Sequence, residues 1–98
     1  MSMLIRERDT PEGLLVAVCD ADCLGETYER GDVSLTVTEE FYGGDEADAE
    51  AVVDSLTRAS VANLVGERCV TVAVEAGIVD EERVLDLEDT RHAQLLWL

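Results

Sequence analysis

The sequence predicts an α+β fold in a single domain that covers residues 1–98. Apolar stretches separated by turn residues open and close the chain, as expected of antiparallel strands. Between them, apolar residues recur at the 3.6-residue period of a helix. A length of 98 residues with 47% hydrophobic content supports a single core and leaves little room for a second. The predicted order is β-β-β-α-α-β-β, with two helices packed on one face of a mainly antiparallel sheet.

The first two strands, residues 3–8 and 14–19, form a predicted hairpin. Pro11 and Gly13 occupy the second and fourth positions of the turn between them, where type I turns favour these residues. Residues 14–19 are apolar without alternation, so we expect a central strand that is buried on both faces.

A polar connection over residues 20–31 leads to the third predicted strand, residues 33–37, in which Val and Leu alternate with Ser and Thr. Such alternation is typical of a strand with one exposed face. The segment Phe41-Tyr42-Gly43-Gly44 is then a predicted turn, in which Phe41 packs in the core and Tyr42 covers an edge.

Two helices and two strands complete the predicted fold. Asp45 is expected to cap the first helix. The second is expected to begin at Ser60 and to end before Gly77, because a 3.6-residue period fits the apolar positions over four turns. The alternating valines near its end leave a strand as the competing interpretation. Residues 84–88 and 93–98 form the last two predicted strands.

The charge of the chain indicates its surroundings. Seven arginines and no lysine oppose 23 acidic residues, which gives a net charge of −16. Molar salt shortens the Debye length to about 3 Å and screens this self-repulsion, so we predict a halophilic protein. An ordinary acidic protein with a basic partner is the alternative. The charge disfavours binding of nucleic acid through bulk attraction, and no apolar stretch is long enough to span a membrane.

The cysteines indicate a reducing compartment. Cys19, Cys23 and Cys69 are odd in number, and charged residues follow closely on the first Met without a secretory signal. We therefore expect a cytoplasmic protein with buried thiols. Together with His92 the three cysteines offer a Cys3His zinc set in principle, but their spacing does not fit a common zinc knuckle. The prediction therefore includes no metal and no cofactor.

Three places in the sequence are predicted to form a surface that meets a partner. They comprise Tyr42, Gly43, Asn63, Gly66, Glu67 and His92. A glycine inside the second predicted helix costs about 1 kcal/mol relative to alanine, which indicates a close approach to the backbone. His92 is the only histidine of the chain, and histidine is the residue type whose side chain most often acts as a general acid or base. Each place also has a purely structural interpretation: a tight turn, close packing of two elements, and a histidine at a strand edge.

Four segments occur in order along the chain and together carry a family resemblance. They are Val18-Cys19-Asp20 with Leu24-Gly25, Phe41-Tyr42-Gly43-Gly44, Ala62-Asn63-Leu64-Val65-Gly66-Glu67-Arg68, and His92-Ala93-Gln94. With these four segments the sequence resembles a small archaeal family known as domain-of-unknown-function family 424. The resemblance runs from about Leu4 to Leu96 and implies an archaeal cytoplasmic protein with an α+β fold. It implies no activity. Arg91 stands where the family pattern usually has Pro, and the pattern does not call for Cys23.

The sequence as a whole predicts a non-catalytic binding or adaptor module, with a protein or an RNA as its partner. An RNA or a component of the translation machinery would be contacted by arginines such as Arg6, Arg8, Arg68 and Arg91. The alternative is a small-molecule-binding protein or an enzyme that uses Glu67 and His92 in a cleft. No association with a membrane is predicted, and the sequence leaves the oligomeric state open.

Overall fold

The structure is a computed structural model that describes residues 2–96. Its helices and strands lie in this order: β1 (Met3–Thr10), β2 (Gly13–Asp20), β3 (Thr27–Arg30), β4 (Val33–Thr36), α1 (Glu39–Tyr42), β5 (Asp45–Ala47), α2 (Ala49–Arg58), β6 (Val61–Val65), α3 (Glu67–Glu75), β7 (Leu85–Asp86) and β8 (Arg91–Leu96). Short 3-10 turns occupy Ala21–Cys23 and Glu81–Arg83. The α+β class, the mainly antiparallel sheet and the two main helices are as predicted, whereas the order of elements differs.

A six-stranded sheet with the order β5-β1-β2-β6-β8-β7 forms the centre of the molecule. The predicted hairpin is confirmed, since β1 and β2 pair antiparallel from Met3 opposite Asp20 to Thr10 opposite Gly13. Among the described strands only β2 and β6 run parallel. Their carboxyl ends, at Asp20 and Val65, therefore meet at the same edge of the sheet.

Each face of the sheet carries its own core, so the predicted single core is wrong. The amphipathic helices α2 and α3 cover one face, where fully buried residues such as Leu56, Leu64 and Val70 pack together. The separate β3–β4 hairpin and α1 cover part of the other face around Cys19 and Val65. The two helices thus lie on one face as predicted, but the opposite face is not left to solvent.

The predicted second helix is wrong over its first third. Val61–Val65 form the strand β6 between β2 and β8, and only Glu67–Glu75 are helical. Strand and helix are separated by Gly66, whose φ of +131° is incompatible with a continuous helix. Because β6 is covered on both faces and only Asn63 interrupts its apolar residues, the segment has no period of 2 that would distinguish it from a helix.

Three smaller predictions are also corrected. The first long helix is capped by Asp48, whose carboxylate accepts a hydrogen bond from the Ala51 N–H at 2.9 Å, whereas Asp45 begins the short strand β5. The polar connection after β2 contains β3, with which the predicted third strand pairs in place of the main sheet. The last two strands are shifted to Leu85–Asp86 and Arg91–Leu96, and predicted strand residues 97 and 98 lie outside the described residues.

The helices among residues 2–96 include none with the length and apolar character needed to cross a lipid bilayer.

Candidate binding cleft

A cleft of about 450 Å³ opens where the carboxyl ends of the two parallel strands meet. In open α/β sheets ligands bind in such a crevice beyond the carboxyl ends of parallel strands. The cleft is lined by Asp20, Asp22, Cys23, Tyr28, Glu67, Arg68, Thr71, Val72, Asp89 and Thr90. These residues come from β2, the turn after it, β3, α3 and the loop before β8, so the tertiary fold assembles a site from five separate segments.

Asp20 forms the floor of this cleft and caps α3. Its side chain is buried, and its two carboxylate oxygens accept hydrogen bonds from the N–H groups of Arg68 and Cys69, each at 2.9 Å. Free N–H groups at a helix N-terminus attract anions, including phosphate. Here the carboxylate of Asp20 already occupies that position. The start of α3 is therefore closed to a phosphate group.

Gly66 makes this contact possible, because a side chain at this position would collide with Asp20. An added Cβ would lie 2.4 Å from the Cγ of Asp20 and 2.7 Å from each of its carboxylate oxygens. The predicted close approach to the backbone at Gly66 is thus present, but the approaching group belongs to the protein itself. This agrees with the structural interpretation of Gly66.

One wall of the cleft is uncharged. The buried thiol of Cys23 lies 3.8 Å from the hydroxyl of Thr90, and Tyr28 lies beside it. Burial raises the pKa of Cys23 and also that of Tyr28, so both groups are neutral at pH 7. Val72 adds an apolar surface at the side of α3. This wall fits the hydrocarbon part of a ligand.

The rim of the cleft is strongly acidic. Asp22, Glu67 and Asp89 are exposed there, and Arg68 is the one basic residue of the lining. With Asp20 included, four carboxylates and one guanidinium give the lining a formal charge of −4 + 1 = −3. A cleft with a neutral wall and a negative rim favours a ligand that carries a positive charge on an apolar stem.

A group of metal-type donors also lies in the cleft. One donor atom from each of Asp20, Asp22 and Cys23 lies within 4.8 Å of the others. Among the described residues only these three donors gather there, one fewer than the four of a structural zinc site. Cys19 and Cys69, which the sequence analysis considered with Cys23 for zinc, belong to the cores on opposite faces of the sheet.

Of the six residues predicted to meet a partner, the structure places Glu67 at the rim and Gly66 behind Asp20. Tyr42 is buried in the core of the hairpin face, where burial raises its pKa to about 12, while Phe41 is only half-buried. The roles expected for these two aromatic residues are therefore reversed. Gly43 accepts a hydrogen bond from Arg6 through its carbonyl at 2.7 Å.

Asn63 and His92 lie in the sheet and do not line the cleft. Asn63 belongs to β6 and not to a helix, and its side-chain oxygen accepts a hydrogen bond from Gln94 at 2.8 Å. The Nδ1 atom of His92 lies 2.9 Å from the carbonyl oxygen of Leu64. Tyr42, Gly43, Asn63, Glu67 and His92 therefore do not line one common cleft in the structure.

Most residues that form the cleft, including Asp20, Asp22, Tyr28 and Thr90, were not predicted as site residues, and Cys23 was considered only for zinc. One signal was available: Asp20 is an acidic residue directly after an apolar run, where a strand ends. Asp22, Cys23 and Thr90 come from turns and loops without a local pattern, and Tyr28 comes from the separate β3–β4 hairpin. The tertiary fold brings them together beside the carboxyl ends of β2 and β6.

Comparison with known proteins agrees with the fold described above. Residues 7–98 match the model of a protein family described as protein of unknown function DUF424. The chain is also similar to the crystal structure of an uncharacterized conserved protein from Methanopyrus kandleri, with a TM-score of 0.79 and 24% sequence identity. That alignment covers 97% of this chain and 90% of the other, and it shows a shared fold. A search of curated protein sequences finds no significant match.

Proposed function

Since the chain belongs to the DUF424 family, whose description states no activity, we propose a function from the cleft itself: a non-catalytic module that binds a basic protein segment. A lysine or arginine side chain of the partner enters the cleft. Its stem packs against Tyr28 and Val72, and its charge lies among Asp22, Glu67 and Asp89. The observation that carries this proposal is the occupation of the α3 N-terminus by Asp20, which turns an anion-binding position into an acidic one.

The placement of the arginines supports a protein partner over RNA. Arg6 and Arg8 donate hydrogen bonds to main-chain carbonyls of the α1 region, and Arg8 also lies 5.1 Å from the ring centre of Phe41. Arg91 forms ion pairs with Glu81 and Asp86 at the other side of the sheet. An RNA-binding surface needs clustered, available cations, whereas these three side chains are dispersed and engaged, and Arg68 lies alone among the carboxylates of the cleft.

The chemistry of the cleft supports binding in preference to catalysis. The single histidine of the chain is not among the lining residues, so no imidazole is available there as a general base. The Cys23 thiol has a raised pKa and is a poor nucleophile at neutral pH. A cation held between carboxylates needs neither group.

The proposed setting is the salt-rich cytoplasm of an archaeon. A chain with no lysine and a charge of −16 is suited to molar salt, which screens its self-repulsion. The structural neighbour from an archaeon supports this origin. In such a solvent a long-range field contributes little, so a partner must be recognised at short range by contacts such as those in the cleft.

The test is a titration followed by amide NMR. A short arginine-rich peptide is added to the protein, and a single-stranded RNA is added to a separate sample. We expect the peptide to shift the amide signals of residues that line the cleft. The triple variant Asp22→Asn, Glu67→Gln, Asp89→Asn should weaken this binding about tenfold, since each exposed ion pair contributes up to about 1 kcal/mol.

A second triple variant serves as the matched control. Asp9→Asn, Glu12→Gln and Glu50→Gln remove the same charge from exposed positions outside the cleft. This control variant should bind the peptide with an affinity within about threefold of the wild-type value, because exposed charges beyond a Debye length are screened. Equal weakening by both triple variants would mean that the peptide follows the overall charge alone. Tighter binding of RNA than of the peptide would also reject the proposal.

A further inference from the structure

The outer edge of β8 is largely without a neighbouring strand. On its inner side, β8 pairs with β6 from His92 opposite Val65 to Leu96 opposite Val61. On its outer side, the two-residue strand β7 pairs only with Arg91 and His92. Within residues 2–96, the outer edge of β8 from Ala93 to Leu96 therefore faces no other strand.

The hydrogen-bond pattern identifies which main-chain groups point outward from this edge. The N–H of Gly66 donates to the carbonyl of Arg91 at 2.9 Å, which marks a hydrogen-bonded pair with β8. Such pairs alternate with non-hydrogen-bonded pairs in an antiparallel ladder. Ala93 and Leu95 therefore bond to β6, whereas Gln94 and Leu96 direct their N–H and C=O groups outward.

The chemistry of this edge is unusual for such an acidic chain. Ala93 to Leu96 contain no charged residue, and the side chain of Leu96 is 62% exposed. Soluble proteins normally protect a free strand edge with lysine, proline or a bulge. This segment contains neither lysine nor proline, and its pairing with β6 is regular throughout.

We propose that this edge pairs antiparallel with β8 of a second copy of the chain, forming a two-fold symmetric dimer. The register that uses every outward group pairs Gln94 with the partner's Leu96, and Leu96 with the partner's Gln94. It forms four main-chain hydrogen bonds, two from each pair. The two-fold axis then passes beside Leu95, which lies opposite the partner's Leu95.

The occupant is a second copy because the edge complements itself. Under this symmetry the two apolar Leu95 side chains meet, Leu96 lies beside the amide of the partner's Gln94, and no like charges are opposed. A basic segment finds no carboxylate within Ala93–Leu96, and an acidic segment is repelled by the net charge of −16. The same charge repels a second copy at low salt, so the dimer should strengthen as salt screens it.

Sedimentation equilibrium over a range of protein and KCl concentrations tests this dimer. We expect a monomer–dimer equilibrium whose dissociation constant falls as KCl rises. Gln94→Pro removes an outward N–H without removing a bond to β6. It also loses the side-chain hydrogen bond from Gln94 to Asn63, and Gln94→Ala controls for that loss. Gln94→Pro should dimerise about tenfold more weakly than Gln94→Ala, since it lacks two of the four hydrogen bonds.

A charge at the edge provides a second test that does not depend on proline. Leu96→Asp should weaken the dimer at least as much as Gln94→Pro does. Val33→Asp adds the same charge on the separate hairpin, where Val33 is 50% exposed against 62% for Leu96, and should not weaken the dimer. Amide exchange locates the contact, because the amides of Gln94 and Leu96 should become protected as the protein concentration rises. Those of Ala93 and Leu95 should be protected at every concentration.

Three results would overturn the proposal. The first is a monomer at every KCl concentration up to about 1 mM protein. The second is a dimer in which Gln94 and Leu96 exchange at rates independent of protein concentration. The third is equal weakening by Leu96→Asp and Val33→Asp. None of these residues lines the cleft, so the outcome is independent of the peptide titration.

Discussion

Gly66 packs directly against the carboxylate of Asp20, and this contact joins the ends of the two parallel strands. The distance of 2.4 Å between a Cβ at position 66 and the Cγ of Asp20 means that any side chain there would force Asp20 or the backbone to shift. The same carboxylate binds the first amides of α3. The start of the helix and the floor of the cleft therefore depend on one pair of residues.

Gly66→Ala should destabilise the protein by about 3 kcal/mol or more, because it combines a positive φ with a collision. Gly77→Ala is the matched control, since Gly77 also has a positive φ of 75° but has open space around it. Gly77→Ala should lower the free energy of unfolding by about 1 to 2 kcal/mol. Urea unfolding in molar KCl measures both values. Equal losses would show that the contact with Asp20 is relaxed in solution.

Asp20→Ala should destabilise the protein by about 2 kcal/mol, because two helix amides lose a charged acceptor in a buried position. Asp48→Ala removes the exposed cap of α2, which accepts one bond from Ala51, and should cost about 1 kcal/mol. Urea unfolding compares the two variants. Amide exchange at Arg68 and Cys69 should accelerate only in Asp20→Ala, and unchanged exchange there would contradict the capping role.

Glu7 should contribute stability at neutral pH that is lost in acid. The hydrogen bond from the buried Ser55 hydroxyl at 2.5 Å, followed by the ion pair with Arg58 at 2.8 Å, holds the pKa of Glu7 below its usual 4.5. A lowered folded pKa gives stability that is present above the unfolded value and disappears as the pH falls through the folded value. Glu7→Gln should therefore be less stable than the wild type at pH 7, and this difference should shrink below pH 4.5. Urea unfolding at both pH values measures it, and a difference that does not change with pH would contradict the prediction.

The three cysteines should react slowly with a thiol reagent in the native protein. Burial raises the pKa of Cys19 to about 12 and raises those of Cys23 and Cys69 as well, so little thiolate is present at pH 8. Cys23 should react first, because it alone lines the cleft. Ellman's reagent, with mass spectrometry of the labelled sites, compares native and urea-unfolded protein. Rapid labelling of Cys69 in the native protein would show that the core between the sheet and the helices α2 and α3 opens readily.

The free energy of unfolding should rise as KCl increases toward molar concentrations. Self-repulsion at a net charge of −16 opposes the compact state and is screened over about 3 Å at 1 M salt. Thermal unfolding in a KCl series measures the effect, and sucrose at matched osmolality controls for exclusion from the surface. A melting temperature that changes no more in KCl than in sucrose would reject adaptation to salt.

The elements with local sequence signals could be predicted from the residues alone. Pro11 and Gly13 specify a tight turn, so the first hairpin could be predicted from neighbouring residues alone. The helix from Glu67 to Glu75 could be recognised because its apolar positions repeat at the period of one amphipathic face. The fold class followed from these elements and from the length of the chain.

The conformation of Val61–Val65 and the position of the cleft could not be predicted, because both depend on contacts between distant strands. This apolar segment fits the 3.6-residue period of the helix that follows it, and its strand conformation is selected by pairing with β2 and β8. The cleft depends on the same pairing, because Asp20 and Gly66 are 46 positions apart in sequence (66 − 20 = 46) and in contact in space. Local propensity reports the preferences of a residue among its neighbours in the chain, whereas a site between strand ends is set by contacts across the sheet.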